Sequence, residues 1–280
     1  MASSRTQVSP APCSTWRIPT PRPGEPQVLP GGTANRGRVV RVGDTVVRPV
    51  PPCRPATHAL LAHLRAAGFD GAPRVLASGP EAETLTYIHG AAAIPPLHPE
   101  LLTDTALVSV ADLLRRYHRA VASFDPAGFR WPRPVPAAFR TGVVSHNDVY
   151  PANLVFRDGR AAALIDFDLA GPGSAAWDFA SAARSWVPLA ADCDVPDSLR
   201  GRTLDRFRVF LEASGLPRHE RRDAAEAIVA NHDWTYAIVT EAAAAGHPAF
   251  AEEWRAVAAP AGRARAWCVR YRRDLLAAAT

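Results

Sequence analysis

Between Val143 and Ala180 the chain reads VVSHNDVYPANLVFRDGRAAALIDFDLAGPGSAAWDFA, and several of its residues are of types that can do chemistry together. His146, Asp148 and Asn153 follow the spacing H-x-D-x-x-x-x-N, and Asp166 comes after the apolar run Ala161 to Ile165, which reads as a strand. A hydroxyl attacking the terminal phosphoryl group of a nucleoside triphosphate needs a carboxylate near enough to accept its proton, and Mg²⁺ to hold the phosphates in line. Mg²⁺ prefers hard oxygen ligands, so one carboxylate and one amide oxygen beside phosphate oxygens and water would suit it. Asp166 and Asn153 can provide that pair. Asp148 then stays clear of the metal, to orient or deprotonate the acceptor hydroxyl. A lone H-x-D, or a lone D-F-D after a strand, is more often a turn with solvated acids; the ordered combination is what points to phosphoryl transfer.

The elements around these residues must hold them in place. Tyr150-Pro151 argues against a continuous helix, because the residue before proline is pushed out of the helical region, so the loop turns Asn153 back towards Asp148. The segments LVF and ALIDFD, joined by Asp158-Gly159, predict a β-hairpin. Upstream, Gly43-Asp44 between RVVRV and TVVRP predicts a second hairpin. Gly31, Gly32 and Asn35 form a loop leading into it, although paired glycines alone are as well explained by a plain turn. Apolar residues at helical spacing predict helices over PATHALLAHLRAAGF, within Pro99 to Phe124, over Ser174 to Trp186, Leu199 to Ser214 and Arg218 to about Gly246, and from Ala249 to the end. Gly215 and Gly246 are expected helix stops.

On the H-x-D-x-x-x-x-N and D-F-D segments the chain resembles the aminoglycoside phosphotransferase family, within the wider group of choline kinases and protein kinases. The resemblance implies an α+β, bilobal protein-kinase-like fold with a small β-rich N-lobe and a larger, mainly helical C-lobe. It divides the chain into a tail over residues 1–27, a nucleotide-binding N-lobe and linker over 28–90, and a catalytic and acceptor-binding C-lobe over 91–280. By resemblance Asp148 is the catalytic base, and Asn153 and Asp166 are the Mg²⁺ ligands. ATP is the implied phosphoryl donor, held by the loop of Gly31, Gly32 and Asn35, by Arg48, and by the linker at Thr86 and Ile88. His146 is expected to brace the loop, and Asp178 to tie the following helix to it. His118 is expected to pack in the core, and Asp168 to cap a helix, lie in a turn or stand beside the metal.

One departure from the family is plain. The strand lysine that usually contacts the phosphates is replaced by Arg48, and the glutamate expected on the next helix by His58. Both halves of the usual ion pair are missing. Arginine can still hold phosphate with its planar fork of donors, and would not need the same carboxylate to place it.

The resemblance puts the acceptor among the late helices. Asp194, Asp233 and Glu241 are candidates to meet the ammonium groups of an aminoglycoside, with Asp233 and Glu241 eight residues apart and so on one helical face; a solvated acidic face is the commoner meaning of such spacing. The first expectation is an O-phosphotransferase acting on an aminoglycoside or related antibiotic. The alternatives are a metabolic kinase for choline, homoserine or a sugar, and a nucleotide-binding regulatory module, the last motivated by the missing ion pair.

Composition narrows the partners. The 280 residues carry a formal charge of +5 and no lysine, and the arginines are scattered rather than clustered with aromatics, so no nucleic-acid partner is expected. Cys13, Cys53, Cys193 and Cys268 form no C-x-x-C pair, which argues against a zinc site or disulfide framework. No apolar run approaches the roughly 20 residues that span a membrane. The expectation is a cytoplasmic monomer or homodimer.

Overall fold

The structure is a computed structural model that describes residues 25–30 and 32–280. Gly31 and residues 1–24 of the expected tail lie outside the described residues. The tail expectation overruns by one residue, because a strand already begins at Gln27.

The first part of the chain builds a five-stranded antiparallel sheet from β1 (Gln27–Val28), β2 (Val40–Val42), β3 (Thr45–Pro49), β4 (Val75–Ser78) and β5 (Ala82–Thr86), in the order β1-β2-β3-β5-β4. β2 and β3 form the expected hairpin, and Gly43 at its turn has φ 59°, a conformation that costs glycine little. Between β3 and β4 the proline-rich segment bends the chain into α1 (Arg54–Ala66), which buries Leu60, Leu61 and Leu64. The pairing of β3 with β5 sets Arg48 directly opposite Glu83. Cross-strand partners share a face of the sheet, so this register brings the two side chains together.

The rest is mainly helical. After β6 (Ala91–Ala92) comes α2 (Asp104–Val121), whose face of Leu107, Val110, Leu113, Leu114 and Tyr117 is fully buried. Full burial of each such leucine is worth about 1.5–3 kcal/mol. The helix predicted within Pro99 to Phe124 starts at Asp104, because Thr103 accepts a hydrogen bond from Ala106 N–H and caps it there. β7 (Val143–Ser145) leads into the catalytic segment, followed by β8 (Leu154–Arg157) and β9 (Arg160–Leu164). Asp158 and Gly159, at φ 50° and 71°, make the hairpin turn that joins β8 and β9. β6 adds to the edge of β8, and β10 (Gly171–Gly173) pairs with β7.

α3 (Ala175–Trp186), α4 (Thr203–Ala213), α5 (Arg218–Ala244), α6 (Pro248–Arg270) and α7 (Arg272–Ala278) complete the chain. Gly215 and Gly246 take positive φ just past α4 and α5, as their positions imply. α4 starts later than expected, since Gly201 at φ 71° interrupts the stretch, and the final helix divides at Tyr271. Phe179 of α3 meets Phe210 of α4, and Trp177 of α3 meets Trp234 of α5, within one continuous core.

Candidate active site

The catalytic segment hangs between the end of β7 and the start of β8 and is fastened from below by Asp178. This carboxylate, fully buried in the first turn of α3, accepts hydrogen bonds from His146 N–H (2.8 Å), Asn147 N–H (2.8 Å) and His118 Nε2 (2.9 Å). The two loop amides hold Asn147 at φ 67°, a left-handed conformation that asparagine tolerates better than most residues. His118 therefore does more than fill space, because it satisfies an oxygen of the carboxylate that shapes the loop. His146 spans the site: its ring Nε2–H donates to Ile165 O (3.0 Å), and Nδ1 accepts from Asp148 N–H (3.3 Å). Burial lowers its pKa, which keeps the ring neutral and suits one donor and one acceptor. His146 thus ties the loop to the strand end that carries Asp166.

Asp148, Asn153 and Asp166 come together as the sequence suggests. Tyr150-Pro151 begins a short 3₁₀ turn, Pro151–Asn153, that swings Asn153 back, and its Nδ2 donates to Asp148 Oδ2 (2.7 Å) and Asp148 O (3.1 Å). With its nitrogen committed to Asp148, the amide oxygen of Asn153 is the atom left to offer a cation. Burial pushes the Asp148 carboxyl up to about 7, and the neighbouring Asp166 charge adds to this, against the pull of Asn153 and Arg184. A carboxylate poised there can take a proton at neutral pH. Asp166 stands at the end of the hairpin with φ 62°, a strained conformation for an aspartate and of the kind that gathers at functional sites.

Arg48 occupies the centre of the other half of the site. Its side chain is buried, and its fork touches three carboxylates: Nε donates to Glu83 Oε1 (2.8 Å), NH1 to Asp166 Oδ1 (3.1 Å) and NH2 to Asp168 Oδ1 (2.7 Å). Burial alone would lower its pKa, but Asp168, Asp166 and Glu83 hold it well above the usual arginine value. Asp168 in turn is pushed up to about 6 by burial and by Asp166, against Arg48. The usual strand-to-helix ion pair is absent, as expected, but a carboxylate that the sequence analysis did not single out meets Arg48 from β5. His58 does stand at the helix position, and its Nε2 meets Glu83 Oε2 at 2.6 Å. The one local signal for Glu83 is its alternation with Leu85, which puts an acid on the inward face of a strand without naming its partner. Asp168 proves to be a partner of Arg48 rather than a helix cap or a solvated turn acid.

Three carboxylates around one guanidinium leave an excess of negative charge, and the Asp166 carboxylate and Asn153 amide oxygen are of the hard type that Mg²⁺ prefers. Among the described residues no group of three or more His, Cys, Asp or Glu is arranged to hold a metal ion.

The loop between β1 and β2 lies over this cluster. A Cβ placed on Gly32 would sit 3.4 Å from Asp166 Oδ2, so the backbone there passes close to the acid. Asn35 closes a short 3₁₀ turn, its N–H bonded to Gly32 O (3.0 Å). The same loop reaches the C-terminal half, where Thr33 Oγ1 donates to Glu253 (2.5 Å) and Arg36 NH1 to Glu252 (2.9 Å), contacts that the sequence did not suggest. In the linker, the N–H groups of Thr86 and Tyr87 are committed to Arg74 O and Asp44 O.

The three acids expected to meet a cationic acceptor are each engaged by an arginine. Asp194 takes a two-pronged bond from Arg263 (2.8 and 2.5 Å), Asp233 from Arg265 (2.6 and 2.8 Å) and Glu241 from Arg133 (2.6 and 3.0 Å). A residue the sequence did not single out stands nearer the base. Arg184 on α3 donates to Asn231 Oδ1 (2.9 Å) and Thr235 Oγ1 (2.8 Å), lies 5.3 Å from the Tyr236 ring centre, and draws down the pKa of Asp148.

Comparisons with known proteins agree with this geometry. The sequence pattern of the phosphotransferase enzyme family matches residues 129–194, the stretch that carries the catalytic loop, Asp166 and Asp178. The trifolitoxin immunity protein of Rhizobium leguminosarum bv. trifolii is 32% identical over 267 residues, covering 89% of this chain and 97% of the relative. Among solved structures, a choline/ethanolamine kinase family protein from Mesorhizobium loti superposes with TM-score 0.60 at 18% identity, covering 91% of this chain and 92% of the other. An aminoglycoside phosphotransferase from Alicyclobacillus acidocaldarius superposes with TM-score 0.54 at 16% identity, covering 85% and 90%. The fold is the bilobal kinase-like one, and the chain belongs to the phosphotransferase enzyme family of small-molecule kinases, with the trifolitoxin immunity protein among its relatives.

Proposed function

We propose that the protein transfers the terminal phosphate of ATP, with Mg²⁺, to a hydroxyl of a small molecule, and that Asp148 is the base. The observation that carries this is the Asp148 carboxylate, pushed up to about 7 by burial and held by Asn153 at 2.7 Å, beside Asp166 at the hairpin end. Asp148 orients the acceptor hydroxyl and takes its proton as the phosphoryl group transfers. Asn153 and Asp166 present the two oxygens that would hold Mg²⁺, whose chemistry when bound is to neutralise phosphate charge and keep the transferring group in line. Arg48 offers its terminal nitrogens to the phosphates, and the backbone of Gly32 to Asn35 covers them. Ile88 is the proposed linker contact for the adenine.

The acceptor is proposed to be a toxic or antibiotic small molecule. The immunity role in the name of the 32% identical relative supports this, since phosphorylating a toxin is a direct way to disarm it. For an aminoglycoside, Asp194, Asp233 and Glu241 would have to release Arg263, Arg265 and Arg133 to meet its ammonium groups. This favours an acceptor with few positive charges, and it keeps a metabolic kinase as the second reading. The regulatory-module reading loses its motivation, because Glu83 restores the ion pair.

A phosphorylation screen over hydroxylated antibiotics, toxins and metabolites, with mass detection of a phosphoryl adduct, tests the proposal. The expected result is one acceptor class phosphorylated by the wild-type protein and not by Asp148→Asn. Absence of nucleotide binding by the wild-type protein would reject it.

A further inference from the structure

We infer that Glu83, itself oriented by His58, is the positioning residue that sets Arg48 for the nucleotide phosphates, replacing the helix carboxylate by one on a neighbouring strand. The inference rests on the phosphotransfer reading and adds to it the device that aims the phosphate-binding side chain.

The two residues are direct partners in the β3–β5 ladder, so backbone hydrogen bonds fix their separation before any side chain moves. Glu83 is 1% exposed, and both its oxygens are used, Oε1 by Arg48 Nε at 2.8 Å and Oε2 by His58 Nε2 at 2.6 Å. A buried carboxylate with each oxygen engaged has little freedom to swing. It grips the Nε edge of the guanidinium and leaves NH1 and NH2 as the working end. Those two nitrogens lie at 3.1 Å from Asp166 and 2.7 Å from Asp168, the place where phosphates would meet the acids.

A merely structural ion pair does not require this arrangement. One carboxylate neutralises one guanidinium, and buried pairs are often replaceable by apolar residues at no loss of stability. Here the pair is linked through the fork to the acids of the site. The placing differs in consequence from a strand-to-helix pair. A carboxylate on α1 would hold the cation only when α1 is docked, whereas two strands of one sheet hold it whatever the position of α1. His58 then serves as a brace at the point where the helix faces the sheet.

The test is titration calorimetry of MgATP into the wild-type protein, Glu83→Gln and His58→Gln, with a thermal melt of each. Glu83→Gln should stay folded and bind MgATP roughly tenfold to a hundredfold more weakly, the fold-change that loss of a charged hydrogen bond brings. His58→Gln should weaken binding in the same direction by a smaller factor. Adding His58→Glu to Glu83→Gln should recover part of the affinity, because it returns a carboxylate to the helix side of Arg48. A role confined to stability would lower the melting temperature and leave the nucleotide affinity of the folded protein unchanged. That result, or wild-type affinity in Glu83→Gln, overturns the inference while the phosphotransfer reading stands. If Glu83→Gln does not fold, unchanged affinity in His58→Gln overturns it. Failure of the wild-type protein to bind MgATP removes the phosphotransfer reading and this inference with it.

Discussion

Replacing Asp148 by asparagine should abolish phosphoryl transfer and at the same time stabilise the ligand-free protein at alkaline pH. Burial and the Asp166 charge raise the Asp148 carboxyl from 3.8 to about 7. The folded state therefore binds this proton more tightly than the unfolded chain. Its contribution to stability is fully present below the unfolded value and is lost as pH rises through about 7. A shift of about three units at roughly 1.36 kcal/mol each sets an upper limit of about 4 kcal/mol for the cost of the ionised form at pH 8. Partial access to solvent and relaxation of the surroundings reduce the recoverable part to roughly 1–3 kcal/mol. Asparagine keeps the shape, and its carbonyl can still accept from Asn153 Nδ2, now at 2.7 Å from the carboxylate. For 280 residues the unfolding entropy is on the order of 0.6 kcal/mol/K, so the melting temperature should rise by roughly 2–5 °C at pH 8. At pH 5 the folded carboxyl is protonated while the unfolded one is largely ionised, so about 1.36 kcal/mol for each unit above 3.8 remains and the gain should fall to roughly two fifths of its value at pH 8. Thermal melts of both proteins at pH 5 and pH 8 without nucleotide measure this, and a phosphotransfer assay on the identified acceptor should show turnover reduced on the order of 10²-fold or more. An equal gain at the two pH values would refute the placing of a strained, buried charge at Asp148. Retained turnover would refute its role as base.

Other outcomes follow from the same contacts. Arg48→Ala should destabilise the ligand-free protein by about 3–5 kcal/mol in urea denaturation, because it leaves the almost fully buried Glu83 without its cation. Asp178→Asn should cost about 2–4 kcal/mol and depress kcat together with stability, since it turns a donor towards the amides that hold Asn147 at φ 67°; an unchanged kcat in the folded variant would show that the loop keeps its shape without the carboxylate. The triple variant Asp194→Asn, Asp233→Asn, Glu241→Gln should leave the acceptor KM within about twofold of wild type, because exposed pairs of this kind carry little energy and each acid already faces an arginine; a large rise in KM would restore the case for a polycationic acceptor.

The reach of the sequence into this site depended on distance along the chain. Asp148, Asn153 and Asp166 are joined by one turn and one hairpin, and local rules suffice for both: proline after Tyr150 forces the turn, and Asp158-Gly159 closes the hairpin. The hairpin at Gly43-Asp44 and the helix stops at Gly215 and Gly246 were legible for the same reason. The partner of Arg48 was not, because it lies 35 residues away and its identity is a matter of sheet register. A strand order of β3-β5-β4 cannot be read from alternation alone, and it is this order that makes Glu83, rather than a residue of α1, the neighbour of Arg48. The acidic candidates on the late helices failed to reveal their partners in a similar way. Asp233 and Glu241 share a helical face, but Arg265 and Arg133 reach them from a different helix and from the loop before β7. In a chain whose cations are all arginine, an exposed carboxylate has many forked partners within reach, so an acidic stripe says little about a cationic ligand until the tertiary contacts are known. At the site the balance is reversed, because Glu83, Asp166 and Asp168 share one guanidinium. That imbalance, rather than any single motif, is the feature on which the proposed site for a cation and its phosphates rests.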